Sequence, residues 1–226
     1  MPIDKTYAVF DRPANRKIIS GLEEQGAKVF RINFPEIEAV ELPDADLQKL
    51  QNPADFDWLV FLDVFAVEVF LQRLEESGID FFELDAVRIC AFGEAVSDRL
   101  RFVQIHSDVI PPDFQPENVF QAIGNFAVEI ENLRFLILKK TESVCDLSNL
   151  LRAGKAEVSE IEIYRLKPDA ELPKIKALLT GGAIDTFLFN SPEEVFAFAN
   201  LFGAEKFEDL GFSSNDEITR QTLKEF

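Results

Sequence analysis

The side chains best placed to contact a ligand directly follow short apolar runs. Arg12, Asp63 and Ser191 each come just after such a run. Runs of four or five apolar residues rich in aromatic and β-branched types are typical of strands buried on both faces of a parallel sheet. In open α/β sheets, the loops at the carboxyl ends of the strands usually bind the ligand. The three residues are therefore candidates for ligand contact.

Arg12 and Ser191 are the candidates that can donate hydrogen bonds. Arg12 precedes a proline, which holds it extended, and a guanidinium can bind a carboxylate through two parallel hydrogen bonds. It could equally neutralise Asp11 or Glu36. Ser191 could donate to a carboxylate, or its oxygen could cap the helix predicted to follow it. For both residues, a purely structural role remains the alternative to ligand binding.

Other catalytic constellations and metal sites are not supported by the spacing. His106, Ser107 and Asp108 are adjacent, and adjacent residues of an extended segment point apart, so they do not form a catalytic triad. Cys90 and Cys145 lie far apart in apolar stretches, which predicts neither a disulfide framework nor a zinc site. Asp11, Asp63 and Asp113 show no metal-ligand spacing on one element. No metal is expected.

A pattern that occurs twice organises the chain. Residues 56–70 read FDWLVFLDVFAVEVF and residues 184–198 read IDTFLFNSPEEVFAF, 128 positions later. In each copy an aspartate (Asp57 or Asp185) opens an apolar run, a polar break follows, and apolar residues then recur at helical spacing. Each copy predicts a strand, a short loop and a helix. The repeat indicates two similar units, which could form two halves of a ligand site or serve only as scaffold.

Composition excludes several classes of protein. The chain has 226 residues, of which 47% are apolar, and it has no run of about 18 apolar residues, which predicts a soluble globular protein without a membrane span. The first residues do not have the pattern of a signal peptide, so a cytoplasmic location is expected. The net charge of -18 disfavours nucleic acid and anionic membranes as partners.

The predicted elements indicate a discontinuous first domain. Residues 1–34 and 167–226 are expected to form one α/β domain, and residues 41–157 the other. Residues 35–40 alternate around a proline and residues 158–166 also alternate, which suggests two linkers that cross between the domains. The predicted fold class is therefore α/β, with two similar domains built on parallel sheets and joined by a two-strand antiparallel linker.

Several short motifs occur in an order known from one protein family. They are DRP at 11–13, GA at 26–27 with Pro35, DWLVF at 57–61, AFGE at 91–94, AGKAEV at 153–158 with Tyr164, and DTFLFNS at 185–191. Each motif is short, but their order resembles the uroporphyrinogen-III synthases over nearly the whole chain. These are cofactor-free enzymes of tetrapyrrole biosynthesis.

The resemblance implies a lyase of porphyrin and heme biosynthesis. Such an enzyme cyclises the linear tetrapyrrole hydroxymethylbilane, with inversion of ring D, to uroporphyrinogen III. It implies no cofactor, a monomer, and a small-molecule substrate with many carboxylates. The alternative is a non-catalytic binding or interaction module that has the same fold.

The resemblance also suggests roles for individual residues. Tyr164 matches a family tyrosine whose phenol assists loss of the terminal hydroxyl as a general acid, and a phenol remains protonated at neutral pH. Its alternative role is to pack the linker. The positions matched to substrate binding are Arg12, Asp63, Gly93, Ser191 and Thr219. Asp63 places a carboxylate where the family has a small hydroxyl, and such a charge would repel an anionic substrate, which favours the non-catalytic alternative.

Overall fold

The computed structural model of the chain describes residues 5–126, 129–167, 169–203 and 210–225. Contacts between residues divide the chain into two units. The first consists of the residues up to 36 and residues 166–224, and the second of residues 37–165 with Glu225. Each unit has a β-sheet of its own.

Strands and helices alternate along most of the described chain. The strands are β1 (Thr6–Asp11), β2 (Lys28–Asn33), β3 (Ile37–Ala39), β4 (Trp58–Phe61), β5 (Arg88–Ala91), β6 (Arg134–Lys140), β7 (Glu157–Leu166), β8 (Thr186–Phe189) and β9 (Gly211–Ser214). The helices are α1 (Arg16–Glu24), α2 (Asp44–Gln51), α3 (Val64–Glu76), α4 (Glu94–Arg101), α5 (Pro116–Phe126), α6 (Asp146–Ala153), α7 (Leu172–Thr180), α8 (Pro192–Phe202) and α9 (Glu217–Glu225).

The sheet of the first unit is parallel throughout, with the strand order β2-β1-β8-β9. Its two interior strands, β1 and β8, are almost fully buried along their centres. This explains why their sequences are continuous apolar runs rather than alternating ones. Because the strands are parallel, their carboxyl ends lie along one edge of the sheet.

The sheet of the second unit has the order β3-β7-β6-β4-β5. The pairs β7–β6, β6–β4 and β4–β5 are all parallel. The Val40 N–H donates to the Ile163 carbonyl at 3.1 Å, and Arg165 donates to the carboxylate of Glu38 at 3.0 Å. The residue numbers of these two pairs run in opposite directions, so β3 is antiparallel to β7. The α/β fold class predicted from the sequence is confirmed.

The two copies of the repeat make equivalent contacts. The Asp57 N–H donates to the Arg134 carbonyl, and the Asp185 N–H donates to the Thr6 carbonyl, both at 2.9 Å. In return, the Asp57 carboxylate accepts from the Arg134 N–H and the Asp185 carboxylate from the Thr6 N–H, both at 2.7 Å. Each aspartate thus fixes the start of its strand to the start of the neighbouring strand.

The segments expected to be linkers take part in the second sheet. Residues 158–166 form most of β7, which pairs with β6 from Glu157 to Tyr164. Ile161, Ile163 and Tyr164 are buried there, so the alternating pattern reflects a sheet strand. Residues 35–40 contain β3, an edge strand, where a proline is tolerated. Whether the units are separate domains with the expected boundaries stays a prediction.

The described residues contain neither a membrane-spanning helix nor a cluster of metal ligands. None of their helices is long and apolar enough to cross a membrane. No group of His, Cys, Asp and Glu among them could hold a metal ion. Cys90 and Cys145 are both free thiols.

The repeated strands should be essential to the core. Phe61 is 0% and Phe189 1% exposed. We expect Phe61→Ala and Phe189→Ala each to lower the free energy of unfolding by about 3–5 kcal/mol, because each leaves a large cavity between packed rings. Denaturant melts check this. Phe82, which is 77% exposed, is the matched control, and Phe82→Ala should change stability by less than about 0.5 kcal/mol. Core losses below about 1 kcal/mol would contradict the assignment.

Candidate functional site

The predicted site residues occur in both units, near the carboxyl ends of the parallel strands. They are Arg12, Ser191 and Thr219 in the first unit and Asp63, Gly93 and Tyr164 in the second. Within each unit the strand direction brings the corresponding loops to one edge of the sheet.

Arg12 and Ser191 lie together in the first unit, because they follow the neighbouring parallel strands β1 and β8. Arg12 Nη1 is 3.5 Å from Ser191 Oγ, and the guanidinium lies over the ring of Phe34, 4.2 Å from its centroid. The Arg12 side chain is 31% exposed, so part of it faces solvent. A ligand carboxylate could therefore reach a cation and a hydroxyl at the same place.

The ion-pair partner of Arg12 and the capping of α8 both differ from what the sequence suggested. Among the residues that the structure describes, the carboxylate within ion-pair distance of Arg12 is that of Glu194, at 3.7 Å, rather than Asp11 or Glu36. Ser191 is the residue that precedes α8, but among the described contacts its side chain makes no capping hydrogen bond. The predicted side-chain cap is wrong, because Glu194 takes over the bonding at this turn.

Glu194 is a buried acid at this site that the sequence pattern did not single out. It is 1% exposed, and its two oxygens accept from the Asn190 N–H at 2.8 Å and from Asn15 Nδ2 at 2.7 Å. Burial raises the pKa of Glu194, while its bonds to Asn190 and Asn15 and the charge of Arg12 act in the opposite direction. A serine followed three residues later by a glutamate is the capping-box pattern, and this signal could have identified it.

Thr219 is buried and bonded within its own helix turn. Its N–H and its hydroxyl both donate to Asp216 Oδ2 at 2.7 Å. These bonds lower the pKa of Asp216. Asp216 precedes α9 and thus caps it. The hydroxyl proton of Thr219 is therefore engaged by the fold.

Gly93 forms the turn between β5 and α4. Its φ of 81° lies in the region that favours glycine, and a Cβ at this position would lie 2.4 Å from the Glu225 carboxylate. The Gly93 carbonyl also accepts from the Ser97 N–H at 3.2 Å, at the start of the helix. The turn requires a glycine for both conformational and steric reasons.

Asp63 and Tyr164 form a buried hydrogen-bonded pair in the second unit. Asp63 Oδ1 accepts from the Ala66 N–H at 2.8 Å, which caps α3, and Oδ2 accepts from the Tyr164 hydroxyl at 2.5 Å. Asp63 is 6% and Tyr164 0% exposed, and the tyrosine ring packs edge-on against Phe65. The Asp63 carboxylate is thus satisfied inside the unit and does not face solvent as a repelling charge.

Lys140 supplies the nearby positive charge. It pairs with Tyr164 in the register of β6 and β7. Burial lowers the pKa of Lys140, while the charges of Asp63 and Glu142 raise it. The carboxylate, the phenol and the ammonium therefore form one polar cluster at the end of the second sheet.

Comparisons with known proteins fit this architecture. Residues 16–226 match the family described as uroporphyrinogen-III synthase HemD. The chain belongs to this family. The porphyrin biosynthesis protein HemD of Ruminiclostridium josui is 23% identical over 202 residues, which are 87% of this chain and 39% of that protein. The chain thus spans about two fifths of the length of this curated relative.

Solved structures of uroporphyrinogen-III synthase share the fold. A mutant enzyme from Thermus thermophilus matches with a TM-score of 0.65 and 15% identity, covering 98% of this chain and 88% of that one. The Thermus thermophilus enzyme in another structure gives a TM-score of 0.61 and 15% identity, covering 98% and 89%. At this identity the likeness concerns the fold alone. The family resemblance seen in the sequence is confirmed.

The Asp63–Tyr164 bond should contribute to stability. Tyr164→Phe removes the donor to a buried carboxylate oxygen, and we expect it to lower the free energy of unfolding by about 1–3 kcal/mol. Denaturant melts measure this loss. A loss below about 0.5 kcal/mol would mean that the bond does not hold in solution.

Substitutions of Asp63 separate its two roles. Asp63→Ser keeps a residue that can cap α3 but loses the tyrosine partner, whereas Asp63→Ala loses both functions. We expect the alanine variant to be less stable than the serine variant by about 1 kcal/mol, the usual value of a cap. In the Tyr164→Phe background the serine substitution should cost less than in the parent, because the two residues interact. Strictly additive losses would contradict the pairing.

Proposed function

We propose that this protein cyclises hydroxymethylbilane with inversion of ring D and produces uroporphyrinogen III. The observation that carries the proposal is the family match, which runs through both units of the chain. The positions of the predicted residues near the carboxyl ends of parallel strands add support.

The reaction asks the protein mainly to hold a flexible substrate in one conformation. The terminal hydroxyl leaves with a proton as water, ring D attacks the resulting azafulvene, and the spiro intermediate opens and closes again as the III isomer. Little acid-base chemistry is required beyond the departure of water, so positioning accounts for most of the rate. The protein needs donors for the substrate carboxylates and one proton donor.

Arg12 and Ser191 are the proposed donors to substrate carboxylates. The guanidinium is partly exposed and lies beside the hydroxyl, so both can approach one carboxylate. Gly93 contributes a turn in which backbone can approach a ligand closely. Asp63 and Thr219 are proposed to act indirectly. Asp63 caps α3, and the Thr219 hydroxyl donates to Asp216 at the start of α9, so each stabilises a turn near the site.

Tyr164 is the proposed proton donor, and its bond to Asp63 sets a condition for that role. The hydroxyl donates to Asp63 in the structure, so it must exchange this partner for the substrate hydroxyl. Because Tyr164 is buried, breaking its bond to Asp63 is a required step before the proton can be donated. Tyr164→Phe should then lower kcat by roughly 10-fold to 100-fold, the lower part of what a positioned proton donor contributes.

A non-catalytic module is the second candidate, and one observation favours it. The Tyr164 and Thr219 hydroxyls both donate to carboxylates of their own units. In this alternative the cluster around Asp63 is only a structural tie, and the protein binds a ligand without transforming it.

The proposal also covers the oligomeric state, location, cofactor and partners of the protein. We expect a monomer in the cytoplasm that needs no cofactor and binds no nucleic acid. The net charge of -18 supports the last point, because a polyanion would be repelled.

An assay of product isomers tests the proposal. Purified protein is mixed with enzymatically generated hydroxymethylbilane, and the isomers are separated after oxidation to porphyrins. Spontaneous closure without inversion gives isomer I, so the enzyme predicts an excess of isomer III over a sample without protein. If the two samples give the same isomer ratio, the non-catalytic module is the better account.

A further inference from the structure

Glu194 is a buried acid that the proposed reaction does not use. It lies in the first turn of α8 and is 1% exposed. A carboxylate in such a place costs folding free energy unless donors surround it, and burial raises its pKa. The residues that contact Glu194 indicate its role.

One carboxylate ties the loops after two neighbouring strands together. Glu194 accepts from the Asn190 N–H just beyond β8, and from the Asn15 side chain just before α1. The same Asn15 amide group donates to the Phe10 carbonyl in β1 at 2.8 Å. The ends of β1 and β8 are therefore held in a fixed relation, and Arg12 lies between Phe10 and Asn15 in the chain.

The contact of Glu194 with Arg12 is electrostatic rather than a hydrogen bond. Its 3.7 Å separation exceeds hydrogen-bond length, so the charge attracts the guanidinium without occupying its N–H groups. The Phe34 ring limits movement on one face of the guanidinium, and Ser191 lies next to Nη1. An arginine has five N–H donors, and within the described part of the chain this environment orients them without using most of them.

We propose that Glu194 is a positioning residue, which holds the Arg12 guanidinium beside Ser191 so that both receive a carboxylate of the ligand. This inference rests on the proposed function, because it assigns Arg12 to a substrate with many carboxylates. Glu194 does not touch the ligand, and it acts through Arg12.

A double-mutant cycle on ligand binding tests the proposal. Calorimetry measures the Kd of uroporphyrin I, a cyclic octacarboxylate that cannot react, for the parent, Arg12→Ala, Glu194→Gln and the double variant. We expect Glu194→Gln to weaken binding about 3-fold to 10-fold in the parent and by less than about 2-fold in the Arg12→Ala background. In the cyclisation assay the same substitution should raise KM and leave kcat within about 2-fold.

Glu193→Gln is the matched control. It removes one negative charge from the same helix turn, so an effect of net charge alone would be equal in the two variants. Glu193→Gln should leave Kd within about 2-fold of the parent. If Glu194→Gln does not fold, Glu194→Asp takes its place in the cycle, because it keeps the charge and shortens the reach.

The outcomes separate this inference from the proposed function. Equal weakening by the Glu194 substitution with and without Arg12, or no weakening at all, would overturn the positioning role while parent binding still supports the function. A parent that does not bind uroporphyrin I would count against both.

Discussion

A buried carboxylate must be surrounded by donors, and this requirement determines the turns at both sheet edges. Asp63 meets it in the second unit through the Ala66 N–H and the Tyr164 hydroxyl. Glu194 meets it in the first through Asn190 and Asn15. Because a buried acid without its donors costs several kcal/mol, each carboxylate forces its loop into the one conformation that supplies them.

The two acids do not occupy equivalent positions of the repeat. Ser191 matches Asp63, and Glu194 matches Ala66, at the spacing of 128 residues. In one unit the acid lies before the helix and accepts from the third helical residue, while in the other the third helical residue is the acid and accepts from the loop. The same turn is thus stabilised from either side, and this leaves the residue before α8 free to be a small hydroxyl beside Arg12.

This difference gives the two units different chemical characters. The first presents a partly exposed guanidinium next to a hydroxyl, which suits an anionic ligand. The second buries a phenol bonded to a carboxylate, and the charge of that carboxylate acts on the nearby ammonium of Lys140. A net charge of -18 repels a polyanionic ligand, so binding such a ligand requires hydrogen-bond donors and positive charge concentrated at the site.

The sequence predicts the strands of the fold better than the polar contacts of the site. The apolar runs of β4 and β8 are typical of strands in the interior of a sheet, and the polar residues after each run mark the turns. Strand β9 was not predicted, because its four residues, GFSS, lack alternation and Phe212 is 46% exposed. Arg12 and Ser191 were predicted separately, as donors that follow apolar strands, and the parallel pairing of β1 with β8 is what brings them together. The Asp63–Tyr164 pair joins residues 101 positions apart, and neither residue type specifies its partner.

Hydrogen exchange at two backbone amides tests the central claim most directly. The Ala66 and Asn190 N–H groups donate to the buried carboxylates, and a helix start or a loop would otherwise leave them open to water. If the carboxylates hold the turns, both amides should exchange within about tenfold of the strand amides of Val60 and Leu188. Exchange of Ala66 and Asn190 at the rate of exposed loop amides would contradict the account, because the carboxylates would then not be engaged in solution.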